Sequence, residues 1–365
     1  MLGAIRQSVE THLVALRALS AFARLGIVAG LIVIGLLHNA IPTPPRAAES
    51  IGDVGLYQRI VADMRSGQSY YAAVAHEHRA HGYPLRPFVT VRLPTLAGTL
   101  ALLPGEIAQR AMLMLLALAA VAAWAWRLAA ARIPPGRYMV ALIAVIAGAS
   151  FALAPTGPFL HEIWAGLLIA LSMALRRPNA WFAAVAVGTA AALLRELAAP
   201  YLLVMALTAA WERHYREAGA WCAGLAVFAC VLTLHAAQVN ALSMPTDTGS
   251  PGWLALGGWQ FVLQTACWIP EMLGVGWSVA ILLPLALLGL TARPLDWRLS
   301  LTVGGYTAGF LFVGRHDTSY WGLMTAPLWP LGLARTWPAI VECVGDIRGP
   351  GLGHGRANML ADPAE

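Results

Sequence analysis

The chain has 365 residues, of which 59% are hydrophobic and 12% are charged, and its formal net charge is +6. Soluble domains carry roughly 25% charged residues, so this chain has too few to cover a water-exposed globule, and most of its surface must face lipid. Every basic residue is arginine, and no basic face or arm stands out, which argues against a nucleic-acid-binding surface.

The first apolar run, residues 25–42, follows three arginines and is not followed by a small-residue cleavage site. It therefore predicts a retained first membrane span with a cytoplasmic N-terminus. Further runs long enough to cross a bilayer are residues 107–127, 138–154, 220–240, 270–291, 299–314 and 321–340. Residues 161–175 form a shorter candidate span.

Two other apolar stretches are interpreted through the positive-inside rule, which places arginine-rich loops in the cytoplasm. Four such loops lie at residues 127–137, 176–177, 213–216 and 293–298. All four are cytoplasmic only if residues 88–103 dip into the membrane or lie on its surface, and if residues 180–210 form two short helices. These two helices would meet at an external Arg195-Glu196 turn. The predicted fold class is an all-α integral membrane protein with about ten transmembrane helices and both termini cytoplasmic.

The longest connection is the first external loop, residues 43–106. Residues 54–66 carry the amphipathic pattern of a helix that ends at Gly67. Residues 69–80 predict a second short helix that ends at Gly82. We expect both helices to lie along the membrane surface. Residues 1–340 then form a single transmembrane helical domain, and the Gly-rich residues 345–365 form a disordered cytoplasmic tail.

Ionisable residues collect at the external ends of the predicted spans, where they are costly and tend to mark function. Asp53 is either a catalytic base or the N-cap of the helix that follows it. Glu162 is either a pocket wall or a favourable charge at a helix N-terminus. Arg195 is suited to bind phosphate, and it could equally hold a turn through Glu196. The remaining external cluster contains Arg315 and His316.

The run from His76 to His81 invites a metal interpretation, but Ala80 stands where an HExxH motif requires its second histidine. The five-residue spacing of the two histidines also fits one helical face poorly. The four cysteines include no CxxC pair. We therefore expect no metal site here and a solvated helix end instead. The sequence also contains no nucleotide-binding glycine loop.

The order of these features resembles the GT-C superfamily of membrane glycosyltransferases, which includes protein O-mannosyltransferases and lipid A aminoarabinose transferases. Members of that superfamily place an acidic residue just after the first span, in a long external loop with surface helices. The resemblance covers about residues 25–210 and is carried by the runs Gly52–Tyr57, Gly67–Tyr71, Gly82–Pro87, Glu162–Gly166 and Leu194–Glu196.

The resemblance implies an enzyme of the bacterial inner membrane that moves a sugar from a polyprenyl-phosphate-linked donor to an acceptor on the periplasmic face. The acceptor, whether glycan, lipid or protein, stays open. Asp53 would be the general base, and Arg195, with Arg315 or His316, would stabilise the leaving phosphate. Further substrate contacts would come from Tyr57, Tyr70, Tyr71, Glu162 and Glu196. No cofactor is assigned, although a divalent metal ion helps to hold the phosphate in some members.

Two other functions stay open from the sequence. A transporter or lipid flippase would explain broken helices and charges within the membrane equally well. Such a protein should, however, place polar groups on both sides of the membrane centre. A non-catalytic membrane scaffold is the third interpretation, and it predicts that Asp53 and Arg195 are dispensable.

Overall fold

The structure is a computed structural model that describes residues 2–39, 52–252, 254, 256–272, 274–293 and 296–348. In this part of the chain it is all-helical, with isolated bridges in place of strands. The α-helices are α1 (Leu2–Asn39), α2 (Gly52–Arg65), α3 (Tyr70–Ala80), α4 (Pro94–Leu102), α5 (Gly105–Ala130), α6 (Pro135–Ala149), α7 (His161–Leu175), α8 (Phe182–Leu194), α9 (Ala199–Trp211), α10 (Tyr215–Leu242), α11 (Gly258–Ala266), α12 (Trp268–Met272), α13 (Val279–Gly289), α14 (Trp297–Phe312) and α15 (Leu333–Arg348).

Among the described residues, four stretches of helix are long and apolar enough to cross a membrane: Leu19–Leu37, Gly105–Ala130, Pro135–Leu153 and Tyr215–Leu242. Their outward faces carry large apolar side chains in the open, including Leu37, Leu115, Ile143 and Leu234. Because such side chains avoid water, lipid contact explains their exposure. Shorter apolar helices accompany these four, among them α7, α8 and α13.

Two of the predicted spans are not continuous α-helices. Residues 270–291 divide between α12 and α13, and Gly274 lies between them with φ +72°, a conformation that favours glycine. Residues 321–340 overlap the end of one 3₁₀ segment, His316–Met324, and include a second, Trp329–Gly332, before α15 begins. Pro327 and Pro330 lack the N–H that an α-helix needs, which explains the late start of α15.

The predicted break between two short helices at Arg195-Glu196 is confirmed. Helix α8 ends at Leu194, a 3₁₀ turn covers Glu196–Ala198, and α9 begins at Ala199. Pro200 occupies the first turn of α9, where its missing N–H costs no helical hydrogen bond. The backbone interruption therefore brings two charged side chains to the junction of two apolar helices.

The loop helices α2 and α3 match the two helices predicted within residues 43–106, although residues 43–51 lie outside the described part. Gly67, at φ +100°, lets the chain reverse between them. Apolar side chains of α2, α3 and α4 form one core with residues of α5 and α7, including Leu56, Val74 and Leu113. This packing fixes the loop helices against the helical bundle.

Three of the predicted basic loops meet in one ion-pair network at one end of the bundle. Arg176 donates to both carboxylate oxygens of Glu217, at 2.9 and 2.8 Å. Arg298 donates to both oxygens of Glu212, at 2.6 and 2.9 Å. Arg127, from the remaining basic loop, donates to a backbone carbonyl of α7. The sequence placed all these loops on one side of the membrane, and their direct contacts agree with that placement.

A second ion-pair group links the first and last helices. Arg24 of α1 lies 3.7 Å from Glu342 and 3.4 Å from Asp346, both on α15. Arg293, from the same predicted basic loop as Arg298, lies 3.2 Å from Glu342. Helix α15 continues to Arg348, so it includes the first four residues of the predicted disordered tail. Residues 349–365 of that tail lie outside the described residues.

Close packing of α13 against the segment before α15 depends on glycine. A Cβ at Gly289 would overlap the carbonyl oxygen of Gly332, which belongs to the backbone and cannot rotate away. We expect Gly289→Ala to lower the free energy of unfolding by about 1–3 kcal/mol. Thermal unfolding in detergent measures this. Gly305→Ala, an exposed site in α14 with nothing within 4 Å, is the matched control and should not lower the melting temperature.

Candidate functional site

Asp53 lies in the first turn of α2 and accepts a hydrogen bond from another part of the chain. The Tyr320 hydroxyl donates to Asp53 Oδ2 at 2.6 Å. Since α2 begins at Gly52, Asp53 is inside the helix and not at the N-cap position predicted from residues 54–66. Its described hydrogen bond goes to a tyrosine and not to the backbone of its own helix. Asp53 thus lies in the first turn of α2 with Tyr320 as its hydrogen-bond donor, and the choice between a catalytic base and a helix-stabilising acid stays a prediction.

Arg92 connects the two tyrosines that flank Asp53. Its Nε donates to the Tyr57 hydroxyl at 3.1 Å and its Nη2 to the Tyr320 hydroxyl at 3.5 Å. The Tyr70 hydroxyl in turn donates to the Arg92 carbonyl at 2.5 Å. The hydrogen bonds found for the Arg92 guanidinium thus end on neutral hydroxyls, while the carboxylates of Glu162 and Glu196 act on its charge through space without a direct ion pair.

Arg195 is held between two carboxylates at the break between α8 and α9. Its Nε lies 2.7 Å from Glu162 Oε1, and its Nη1 donates to Glu196 Oε2 at 3.1 Å. Glu196 Oε1 also accepts from the Leu93 backbone N–H at 3.1 Å. Arg195 is 2% exposed and Glu162 is 1% exposed. The ion pair is therefore buried, which is stable only while both partners are present.

Two nitrogens of Arg195 are buried without a hydrogen-bond partner of acceptable geometry, Nε and Nη2. Nε is in ion-pair contact with Glu162, whereas no contact is found for Nη2. The guanidinium lies 5.7 Å from the centre of the Trp321 ring. Because buried donors are nearly always satisfied in folded proteins, the unsatisfied Nη2 points to a bound polar group.

Tyr57 lies between two sets of side chains. Asp53, Tyr320 and Arg92 form the Asp53 group, and Arg195, Glu162 and Glu196 form the Arg195 group. The centroid of the Tyr57 ring lies 4.8 Å from that of His161, with the two rings at 70°. Burial raises the pKa of Tyr57 to about 12; the charge of Arg92 opposes this shift and the charge of Asp53 adds to it. Burial also raises the pKa of Tyr70 well above its usual value. Both hydroxyls therefore stay protonated at neutral pH and can donate hydrogen bonds.

A small cavity opens between these side chains. Its polar lining consists of Tyr57, Tyr70, Arg92 and His161, and its apolar lining includes Leu96 and Leu100. The space open to the centre of a water molecule is about 10 Å³, which is near the minimum for a single water. A larger ligand could enter this cavity only after the side chains that line it, or the loop helices that carry them, move.

Tyr71 belongs to a neighbouring contact. Its hydroxyl lies 3.2 Å from His235 Nδ1, and His235 Nε2 lies 3.1 Å from the Val91 carbonyl. The Tyr70 and Tyr71 rings are 5.2 Å apart, so the pair extends the site toward α10.

Arg315 makes its contacts elsewhere. It donates to both oxygens of Asp317, at 3.0 and 2.8 Å, and to the Pro251 carbonyl at 3.3 Å. None of these partners belongs to the Asp53 or Arg195 groups, so a role for Arg315 in phosphate binding stays a prediction. The side chain of His316 lies outside the described residues.

The His76–His81 helix end, predicted to be solvated, is solvated only in part. Glu77 and His78 are buried, at 5% and 4% exposure, because α3 packs against the loop core. Burial lowers the pKa of His78 to about 4, so this imidazole is neutral at physiological pH. Arg79 forms a bidentate ion pair with Asp247 at 2.8 and 3.0 Å, which attaches α3 to the segment after α10.

Sequence reasoning missed four residues of the site: Arg92, Tyr320, His161 as a ring partner of Tyr57, and His235. Arg92 carried the clearest signal, since a lone arginine within an apolar stretch must find a polar partner. Tyr320 gave no comparable signal. It is 267 positions from Asp53 in the chain, and an aromatic residue beside a predicted span is ordinarily explained as an interfacial anchor.

The comparisons with known proteins give no assignment: no family model, no curated protein and no solved structure matches this chain. The resemblance to GT-C glycosyltransferases therefore stays a prediction from the sequence.

Proposed function

We propose that this protein is a membrane glycosyltransferase that moves a sugar from a polyprenyl-phosphate-linked donor to an acceptor outside the cytoplasm. The observation that carries the proposal is the hydrogen-bonded line from Asp53 through Tyr320 to Arg92. It combines a carboxylate that can take a proton with a cation that can bind an anionic leaving group. These are the two requirements of a transfer from a sugar phosphate.

In this reaction the acceptor hydroxyl oxygen attacks the anomeric carbon of the donor sugar. Asp53 takes the hydroxyl proton, the bond from the anomeric carbon to the phosphate oxygen breaks, and polyprenyl phosphate leaves with the bonding electrons. Tyr320 donates to only one oxygen of Asp53 in the described contacts, so Oδ1 is the oxygen that we assign to proton transfer. Tyr320 is a positioning residue, because it fixes the orientation of the carboxylate.

The surroundings of the two arginines favour Arg92 as the main residue that binds the leaving phosphate, with Arg195 as a second donor. Arg195 already lies between Glu162 and Glu196, which compensate its charge. Arg92 contacts only the hydroxyls of Tyr57 and Tyr320 in this network. A guanidinium whose hydrogen bonds end on hydroxyls can exchange them for a phosphate group more readily than one in a direct ion pair. The unsatisfied Nη2 of Arg195 supplies a further donor.

The small cavity sets a requirement for this mechanism. A sugar is far larger than the space between Tyr57, Tyr70, Arg92 and His161, so these side chains, or the loop helices α2 and α3, must move before the donor binds. Closure over the bound donor would then exclude water, which otherwise competes with the acceptor as the nucleophile.

Glycan and glycolipid profiling of cells with and without the protein tests the proposal. We expect one glycosylated product to disappear from cells that lack the protein, with the polyprenyl-linked donor retained or increased. Identical profiles in both strains contradict a transferase function. Loss of export of a lipid, with every glycan still made inside the cell, favours the flippase alternative.

The proposed sidedness makes a separate prediction. Gln68 is exposed between α2 and α3, and Arg216 is exposed at the start of α10. Each residue is replaced by cysteine in a variant without the four native cysteines. A membrane-impermeant thiol reagent is then added to intact cells with a permeable outer envelope. It should label Gln68→Cys and leave Arg216→Cys unlabelled. Arg216→Cys should react only after lysis. The reverse labelling pattern would place the Asp53 site on the cytoplasmic side.

A further inference from the structure

A cluster of possible metal ligands lies at the far end of α2 from Asp53. Asp63, near the end of α2, places Oδ2 at 3.1 Å from His76 Nδ1 on α3. The same nitrogen lies 3.2 Å from Glu77 Oε1. One ligand atom from each of the three residues falls within 4.8 Å of the others. The three side chains therefore meet between α2 and α3, with His76 in hydrogen-bond contact with Asp63.

Glu77 provides a second observation, because this member of the cluster is a buried carboxylate. Its side chain is 7% exposed, and Oε2 is buried without a hydrogen-bond partner of acceptable geometry. His81 Nε2 lies 3.3 Å from that oxygen, close enough for electrostatic contact. A buried carboxylate with an unsatisfied oxygen is costly unless a cation neutralises it.

We propose that Asp63, His76 and Glu77 bind a divalent transition metal ion of the zinc class. Ligand distances of about 2.0–2.1 Å in a tetrahedral zinc site place neighbouring ligand atoms roughly 3.3 Å apart. The observed separations of 3.1 and 3.2 Å match that spacing. An imidazole ligand favours zinc over magnesium or calcium, which prefer oxygen ligands alone.

The exposure of the ligands determines from which side an ion would reach the site. His76 is 62% exposed, whereas Glu77 is buried, so the ion would be reached from one side. Three protein ligands leave the fourth position on the exposed side for water. His81, beside the second oxygen of Glu77, would orient that carboxylate toward the ion.

Such an ion would hold α2 against α3. Helix α2 carries Asp53 and Tyr57, and α3 carries Tyr70 and Tyr71, so the metal would set the relation between the two helices of the candidate site. The site itself does not depend on the proposed transferase function. Metal binding can therefore be tested without an activity measurement, and the two proposals can fail separately.

The test is zinc binding by the full-length protein in detergent, purified through a tag without histidine and stripped with a chelator. Equilibrium dialysis against Zn²⁺ followed by elemental analysis should give one zinc ion per chain. We expect His76→Ala and Asp63→Asn each to lower the zinc affinity at least 10-fold. Excess Mg²⁺ should not displace the zinc ion. Co²⁺ in place of Zn²⁺ should give visible absorption bands of a tetrahedral site, absent from His76→Ala.

His214→Ala and Glu106→Gln are the matched controls, since both residues are exposed and contact none of the three ligands. Neither substitution should change zinc affinity. Because Glu77 is buried, Glu77→Gln is informative only if it folds, and the exposed His76 avoids that difficulty. Equal zinc binding by wild type and His76→Ala, or displacement by equimolar Mg²⁺, overturns the proposal.

Discussion

Asp53→Asn is expected to reduce sugar transfer by about 10²–10⁴-fold, the usual contribution of a general base. Asparagine has nearly the same shape and can still accept the hydrogen bond from Tyr320, so the loop should keep its structure. It cannot take the proton of the attacking hydroxyl at neutral pH. The missing product in cells that express Asp53→Asn, compared with wild-type cells, measures the effect and also identifies the acceptor.

Two further variants show whether this loss is specific. Glu106→Gln removes an exposed carboxylate that pairs only with Arg110, and it should leave product levels unchanged. Tyr320→Phe removes the donor to Asp53 without removing the base, so it should lower the rate less than Asp53→Asn does. Expression and membrane insertion of each variant must equal those of the wild type. Normal product levels in correctly inserted Asp53→Asn would exclude a catalytic role for the carboxylate and favour the scaffold or transporter interpretation.

Local sequence signals predicted the elements that surround the site. Amphipathic spacing and Gly67 predicted helices α2 and α3, and the charged pair with the nearby Pro200 predicted the break between α8 and α9. These features succeed because each depends on residues only a few positions apart. The length of the apolar runs predicts continuous helices at residues 270–291 and 321–340, but the structure has interrupted helices there. Glycine and proline break runs that are apolar enough to span a bilayer.

The partners inside the site depend on tertiary packing and were only partly predictable. Asp53 and Arg195 are predicted individually from their positions in the chain, and Tyr57 and Tyr70 only from the family resemblance. Their connection through Arg92 and Tyr320 required the 3₁₀ segment His316–Met324 to pack against the loop helices. No periodicity or charge rule relates residues more than 200 positions apart.

Arg195→Met is expected to destabilise the protein by about 3–5 kcal/mol, because it leaves the buried Glu162 carboxylate without its partner. The melting temperature in detergent should fall sharply, and adding Glu162→Gln to Arg195→Met should restore part of it by removing the unpaired charge. Arg315→Met is the matched control. Asp317, its ion-pair partner, is 61% exposed, and exposed pairs contribute about 0–1 kcal/mol.

The double variant separates a structural role of Arg195 from a role in binding the donor. If the ion pair with Glu162 is chiefly structural, Arg195→Met with Glu162→Gln should recover both stability and product formation. If the unsatisfied Nη2 of Arg195 also binds the leaving phosphate, the double variant should regain stability while product formation stays low. An Arg195→Met protein that melts like wild type would contradict the buried ion pair itself, and with it the arrangement of charges on which the proposed site depends.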